Sequence, residues 1–185
     1  MINVIVAVTG ASGAIYARQV IELLLANEQV GRIAVVKSAA AEDTLAAEDV
    51  ALPASSRVEY FANDDMFSSM ASGSARWDAM VVVPCSMGSV GRIAAGVSRT
   101  LIERAADVML KERRRLVMVV REAPYSLIHL RNMTTLTEAG AIILPASPSF
   151  YFKATTVEEL CQTISVRAVE QLGIAIDHRA WGDNE

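Results

Sequence analysis

Short runs of apolar, β-branched residues alternate along this chain with longer stretches whose apolar positions recur at helical spacing. The first run, Ile2 to Val8, has the continuous apolar character of a strand buried on both faces. Thr9 to Gly13 then form a turn of two glycines around small residues. Ala14, Ile15, Ala17, Val20, Ile21 and Leu24 follow at the spacing of one helix face. A strand, a glycine turn and a helix in that order put backbone N–H groups and a positive helix end where an anion can sit. The turn lacks the alternating glycine triplet of the dinucleotide fingerprint, and no Gly-Lys-Ser/Thr follows to make a P-loop. Taken alone it reads more readily as an ordinary tight βα turn than as a phosphate site.

The same alternation continues to the end of the chain. Arg32 to Val36 predicts a second strand. Ala39 to Ala47 predicts a helix with Ser38 as N-cap and Glu48, Asp49 and Pro53 at its end. Arg57 to Phe61 reads as a minor strand, Asn63 to Ser69 as a turn and helix start, and Ala71-Ser72-Gly73-Ser74 as a small-residue loop. Ala79 to Val83 is a third buried strand, closed by Pro84-Cys85-Ser86 and followed by a helix from Met87 to Ala95 that Gly96 ends. Thr100 and Glu103 match a capping box opening a helix that runs to about Arg113. Leu116 to Val120 is a fourth buried strand, followed directly by Arg121-Glu122-Ala123-Pro124. A helix over Tyr125 to Ala139, a strand over Ala141 to Leu144, a loop over Ser147 to Lys153 with adjacent aromatics, and a helix over Thr156 to Leu172 complete the pattern.

Strands alternating with helices predict an α/β fold, a Rossmann-like, doubly wound parallel sheet with helices on both faces. No repeat or low-complexity linker interrupts it, and 185 residues suit a single domain over 1–185. Ligands of such sheets bind outside the carboxyl ends of the strands. Thr9 to Gly13, Ser38, Pro84 to Ser86, and Arg121 with Glu122 all lie there, from four strands, and this convergence is the main argument for a site.

Composition narrows the picture. A 52% hydrophobic chain with 5% aromatics is rich in small-residue packing of a kind that often continues across subunit contacts. The net charge of −4 argues against a general nucleic-acid or anionic-membrane binder and leaves room for a local basic site. Cys85 and Cys161 are far apart without metal-ligand spacing, and His129 and His178 form no ligand pair, so neither a disulfide nor a metal is expected. No apolar run reaches the roughly 18 to 20 residues of a membrane span. Met1-Ile2-Asn3 lacks the basic start of a signal peptide. A cytoplasmic protein is the expectation.

Among polar candidates, Ser12, Ser38, Ser74 and Ser86 are each readable as caps and turn formers, and together as a polar cradle for a flavin or nucleotide phosphate. Arg104 and Lys111 share a face of the predicted helix, although a run such as Lys111 to Arg115 is also what a solvated helix end looks like. Two charges just past a buried strand, Arg121 and Glu122, are costly unless paired or used. Cys85 reads as a small packed thiol rather than a nucleophile, because no partner histidine is evident. His129 reads as a packing or capping residue.

Taken together, TGASGAIYA (9–17), ASGS (71–74), PCS (84–86), LIERAADVMLKERRRLV (101–117), REAPYSLIHLRNM (121–133), GAIILPASPSFY (140–151) and Arg179-Ala180-Trp181 resemble the UbiX-type flavin prenyltransferases over nearly the entire chain. The resemblance implies an enzyme that binds reduced FMN and joins a dimethylallyl group from dimethylallyl monophosphate to its N5 and C6. It also implies delivery of the prenylated flavin to a UbiD-type decarboxylase, no metal, and a dodecamer with sites where subunits meet. Ser12, Glu48, Glu122 and Lys111 then match catalytic positions. Lys111, Arg121, Tyr151 and Arg167 match phosphate-binding positions, some reaching in from a neighbouring subunit. Thr9, Gly10, Ala11, Ser12, Ser38, Ser86, Met87, Arg104 and Arg121 match flavin-site positions. The assignment is chemically coherent: an allyl phosphate leaves most readily when cations neutralise its developing charge and an acid, here Glu122, supplies a proton.

The chain departs from the family pattern in four places, the first being Ala47-Glu48-Asp49 where Glu-Thr-Asp is usual. Lys37-Ser38 stands in the order opposite to the usual one, Asp65 occupies an aromatic position, and Ala154 occupies a proline position. The ten-residue interval from Ser38 to Glu48 is kept when one deletion is placed just after Glu48; an ungapped alignment puts an alanine at the catalytic glutamate. Two rival functions remain open at this level. One is an FMN-binding subunit or carrier associated with an aromatic-acid decarboxylase, without prenyl transfer; the other is a phosphate-binding structural subunit.

Overall fold

The structure, a computed structural model, describes residues 1–178, so Arg179-Ala180-Trp181 lie outside the described residues. Six strands form one sheet: β1 (Ile2–Val8), β2 (Val30–Lys37), β3 (Val58–Phe61), β4 (Ala79–Cys85), β5 (Arg115–Val120) and β6 (Ile142–Pro145). Their order is β3-β2-β1-β4-β5-β6, with every pairing parallel. This is the expected doubly wound sheet, with the short Val58–Phe61 run as the expected minor strand, at one edge.

The helices are α1 (Ala14–Ala26), α2 (Ala39–Ala47), α3 (Met87–Ala94), α4 (Leu101–Lys111), α5 (Leu127–Glu138) and α6 (Val157–Gln171). Odd and even positions of each strand feed two cores. Val4, Val6 and Val8 pack with Val20, Ile21 and Leu24 of α1 and with Ile164 and Val169 of α6. Ile5 and Ala7 pack on the opposite face with Val90 of α3 and Leu101 and Met109 of α4. Each fully buried aliphatic side chain contributes about 1.5–3 kcal/mol of burial, so the central strands hold the layers together and set the height of everything at their ends.

Local differences from the expected boundaries have identifiable causes. α4 stops at Lys111 rather than near Arg113, because Arg113 takes a left-handed conformation with φ 56°. The expected helix start over Asn63 to Ser69 is a series of turns followed by one 3₁₀ turn, Ser69–Ala71. β4 continues through Pro84 to Cys85, with an irregularity in its pairing to β5 between Val82 and Cys85 where proline has no N–H to give.

The register positions the site. Val8 pairs with Lys37 and Ala7 with Val82, so the residues leaving β1, β2 and β4 emerge at one level. The chain crosses between β1 and β4, and strand order reverses there. That makes the gap between their carboxyl ends the expected ligand crevice.

Candidate flavin and phosphate site

Thr9 is buried and ties the two central strands together. Its hydroxyl donates to the Pro84 carbonyl at 2.7 Å and accepts from the Ser86 N–H at 2.9 Å. A threonine hydroxyl can do both at once, which fixes Ser86 at the mouth of the crevice. Ser86 is the N-cap of α3, accepting from the Ser89 N–H, and Ser38 is the N-cap of α2, accepting from the Ala41 N–H. The bland reading of both serines as caps is therefore correct, and it coexists with their position on the rim.

The glycine turn has two close approaches. A Cβ at Gly10 would collide with the Ala40 side chain at the start of α2. Gly13 is in the left-handed region at φ 109° and, as N-cap of α1, has no side chain to offer the helix. Glu48 makes up for this. The Gly13 N–H donates to Oε1 and Oε2 at 2.9 and 3.1 Å, and the Ala14 N–H donates to Oε2 at 2.7 Å. The anion expected at the start of α1 is thus a carboxylate of this same chain, which corrects the idea that a ligand anion sits there.

Partial burial pushes the Glu48 pKa up. The Gly13 N–H, the Ser12 side chain, the Ala14 N–H and the Arg121 charge together outweigh burial and hold it below the usual carboxylate value. Arg121 completes the group: its N–H bonds to the Cys85 carbonyl at 3.2 Å, and its Nε donates to the Ser12 carbonyl at 3.2 Å. Ser12 after β1, Glu48 at the end of α2 and Arg121 after β5 thus form one polar cluster. Glu122 is half-buried beside it, with Oε1 accepting from the Ala123 N–H at 3.0 Å. Gly10 and Ser12 are exposed, Ala11 is buried beneath the turn, and Met87 is buried at the first position of α3.

The remaining candidates lie elsewhere in the single chain. Lys111 ends α4 just before β5 begins, whereas Arg121 follows the end of β5; a strand of this length separates them by about 20 Å. Lys111 pairs with Glu112, and Arg104 donates from Nε to the Ala71 carbonyl at 3.0 Å and from Nη1 to Asp107 at 2.6 Å. Both flank the 71–75 loop, which Arg114 also holds through the Gly73 and Ala75 carbonyls at 2.7 and 3.0 Å. Arg167 is about 15 Å along α6 from Val157 and pairs with Glu170, whose other oxygen lies 2.6 Å from His178 Nε2. Tyr151 sits exposed in the loop after β6.

Lys37, in its unusual order with Ser38, turns to Glu42 at 2.7 Å and over the Tyr60 ring at 5.5 Å, leaving Ser38 at the cap. Cys85 is fully buried, and burial pushes its thiol up to about 12, which suits packing and not nucleophilic attack. His129 closes a capping box, accepting from the Ser126 N–H at Nδ1. Among the described residues no group of three His, Cys, Asp or Glu is placed to hold a metal, and no helix is long and apolar enough to cross a membrane.

Sequence reasoning missed one part of the rim. Glu103, recognised as the capping-box partner of Thr100, also takes Arg92 Nε at 2.6 Å. Arg92 in turn reaches Ser89, and Ser89 reaches Ser86. Arg92 and Ser89 lie three residues apart on α3, but nothing in the spelling of the chain links either to a carboxylate on the next helix.

The chain matches the flavoprotein family model over residues 1–169. It is 41% identical to the flavin prenyltransferase UbiX of Pseudomonas aeruginosa, over 98% of this chain and 94% of that protein. Among solved structures it resembles AnUbiX (PadA1) in complex with FMN and dimethylallyl pyrophosphate, with TM-score 0.87 and 40% identity over 97% of this chain and 98% of that one. It also resembles a dodecameric FMN-dependent UbiX-like decarboxylase from Escherichia coli O157:H7, with TM-score 0.89 and 36% identity over 97% and 99%. With the doubly wound sheet and the polar cluster at its switch point, these likenesses make the chain a member of the flavoprotein family, in its UbiX-type flavin prenyltransferase branch.

Proposed function

We propose that this protein is a flavin prenyltransferase that moves a dimethylallyl group from an allyl phosphate to reduced FMN. The observation that carries this reading is the cluster of Ser12, Glu48 and Arg121 across the mouth of the crevice between β1 and β4. Its donor set fits a flavin. Ser38 and Ser86 supply hydroxyls, and the first N–H groups of α3, which a helix leaves without internal partners, suit a phosphate. Reduced FMN, when bound, supplies the electron-rich ring positions that accept the allyl carbon.

The chain's own residues divide the remaining work. Arg121 binds the allyl phosphate and neutralises the charge that grows on it as the carbon–oxygen bond breaks. Glu122 gives a proton to the departing phosphate oxygen. Glu48, held ionised beside the Ser12 side chain, is the base positioned to take up a proton through Ser12 Oγ and to balance positive charge in the pocket.

Lys111, Arg167 and Tyr151 serve the phosphate and Arg104 the flavin, with Lys111 and Arg167 reaching in from a neighbouring copy of the chain. Two features support a shared site. Lys111 and Arg167 lie at the far end of the sheet from Arg121, and Leu127, Ile128, Phe150 and Tyr151 expose apolar surface in the single chain. A dodecamer built from one domain per chain, a cytoplasmic location and a UbiD-type decarboxylase as consumer of the product complete the proposal.

The test is direct. The protein is incubated anaerobically with reduced FMN and, separately, with dimethylallyl monophosphate or dimethylallyl pyrophosphate added, and the flavin is weighed by mass spectrometry. A gain of one prenyl unit is expected. Flavin that binds and stays unmodified with both donors would instead make the protein a flavin-binding subunit or carrier.

A further inference from the structure

A chain of polar contacts runs into the crevice from a charge that the proposed chemistry does not use. Glu103 on α4 is 3% exposed. Burial raises its pKa, while bonds from Arg92 Nε at 2.6 Å and from the N–H groups of Arg99 and Thr100 at 2.8 and 3.1 Å hold it ionised. Arg92, anchored this way, donates from Nη2 to Ser89 Oγ at 3.3 Å. Ser89 Oγ lies 3.1 Å from Ser86 Oγ, and the Ser89 N–H also donates to Ser86 Oγ at 3.3 Å.

The direction of these bonds follows from donor counting. An arginine only donates, so Ser89 Oγ accepts from it. Ser89 is buried, a buried hydroxyl must place its proton, and Ser86 Oγ is its acceptor among the described hydrogen bonds. Ser86 Oγ then receives both the hydroxyl and the N–H of Ser89, which fills its two lone pairs. What Ser86 has left is its own proton.

We propose that Arg92, clamped by Glu103, is a positioning residue that acts through Ser89 to make Ser86 an obligate hydrogen-bond donor toward an acceptor atom of the bound flavin. The inference deepens the reading of the crevice as a flavin site and rests on it. It restricts what can face Ser86 to a carbonyl oxygen, an unprotonated ring nitrogen or a phosphate oxygen, and it disfavours an N–H. A charged donor at the head of the chain strengthens each later bond, since successive hydrogen bonds polarise one another.

The experiment uses the full-length protein and measures FMN and riboflavin dissociation constants, with the absorbance spectrum of the bound flavin. It compares the wild type with S86A, S89A, R92M and R92K, and with the S86A/R92M double variant. S86A is expected to weaken FMN about tenfold, the loss of one good hydrogen bond. S89A leaves the Arg92–Glu103 pair in place and should weaken it several-fold; R92M should do the same and displace the flavin absorption band. R92K should recover part of the loss.

In the S86A background R92M should change nothing further, because its target is gone. An equal loss from S86A with riboflavin places the acceptor on the ring, and a loss seen with FMN alone places it on the phosphate. Unaltered affinity in S89A, or an R92M penalty that persists undiminished in the S86A background, overturns the relay. A wild type that binds FMN while S86A is unaffected overturns the donor role of Ser86. A wild type that does not bind FMN overturns the functional reading itself. S89A and R92K, which retain the ion pair, keep the test decisive if R92M fails to fold.

Discussion

The carboxylate of Glu48 grips the backbone of Gly13 with both of its oxygens, at 2.9 and 3.1 Å. The contact ties the end of α2 to the start of α1, two elements whose own helix–helix packing is slight. It satisfies the N-terminus of a helix whose cap residue has no side chain. It also stations an ionised acid against Ser12 and Arg121. One residue is therefore asked to serve stability and chemistry together, and substitutions can separate the two.

E48A removes the cap and should cost about 1–2 kcal/mol of unfolding free energy, read from urea denaturation. E48Q keeps one acceptor oxygen near the same N–H groups and should cost less. Both should lower prenyl transfer by at least about a hundredfold, the usual worth of a positioned base. Full transfer by E48Q would remove Glu48 from the chemistry and leave it a cap.

Acid should weaken the wild type more than E48Q. A carboxylate held below its unfolded pKa of about 4.3 contributes its full stabilisation above that value and loses it as pH falls through the lower folded value. The stability gap between wild type and E48Q should therefore be widest near neutrality and shrink below about pH 4. Denaturant midpoints measured across that range that stay a fixed distance apart would contradict this sign.

G13A forces a Cβ into a left-handed position and against the Tyr16 ring, 2.8 Å from Cδ2. The left-handed backbone alone costs about 1–2 kcal/mol for a residue with a side chain. Because the same turn presents Ser12 and anchors Glu48, G13A should lose flavin affinity as well as stability. Thermal melting and flavin titration read the two effects separately.

K111M and E122Q should each retain the fold, since Lys111 is exposed and an exposed ion pair contributes about 0–1 kcal/mol. Each alone should abolish transfer. If sites are assembled from two copies, unfolding and refolding the two variants together should restore activity, because some mixed sites then contain Lys111 from one copy and Glu122 from another. Mixed assemblies that stay inactive would argue that Lys111 serves no neighbouring site.

The doubly wound sheet was written in the chain's own pattern. Apolar runs such as Val4 to Val8 and Ala79 to Val83 are short, β-branched and punctuated by small polar residues, and that local chemistry admits little besides buried parallel strands with serines and arginines at their ends. Ser38 as a cap, the Thr100–Glu103 box and the rim position of Arg121 were legible for the same reason, because each depends on neighbours a few residues away. Long-range pairing was not. That Glu48 fills the start of α1, that Thr9 pins Ser86, that Arg92 reaches Glu103, and that Lys111 ends up a strand's length from Arg121 were decided by how helices stack on the sheet. A side chain's partner across elements depends on packing angles and register, which residue order constrains only through the whole fold.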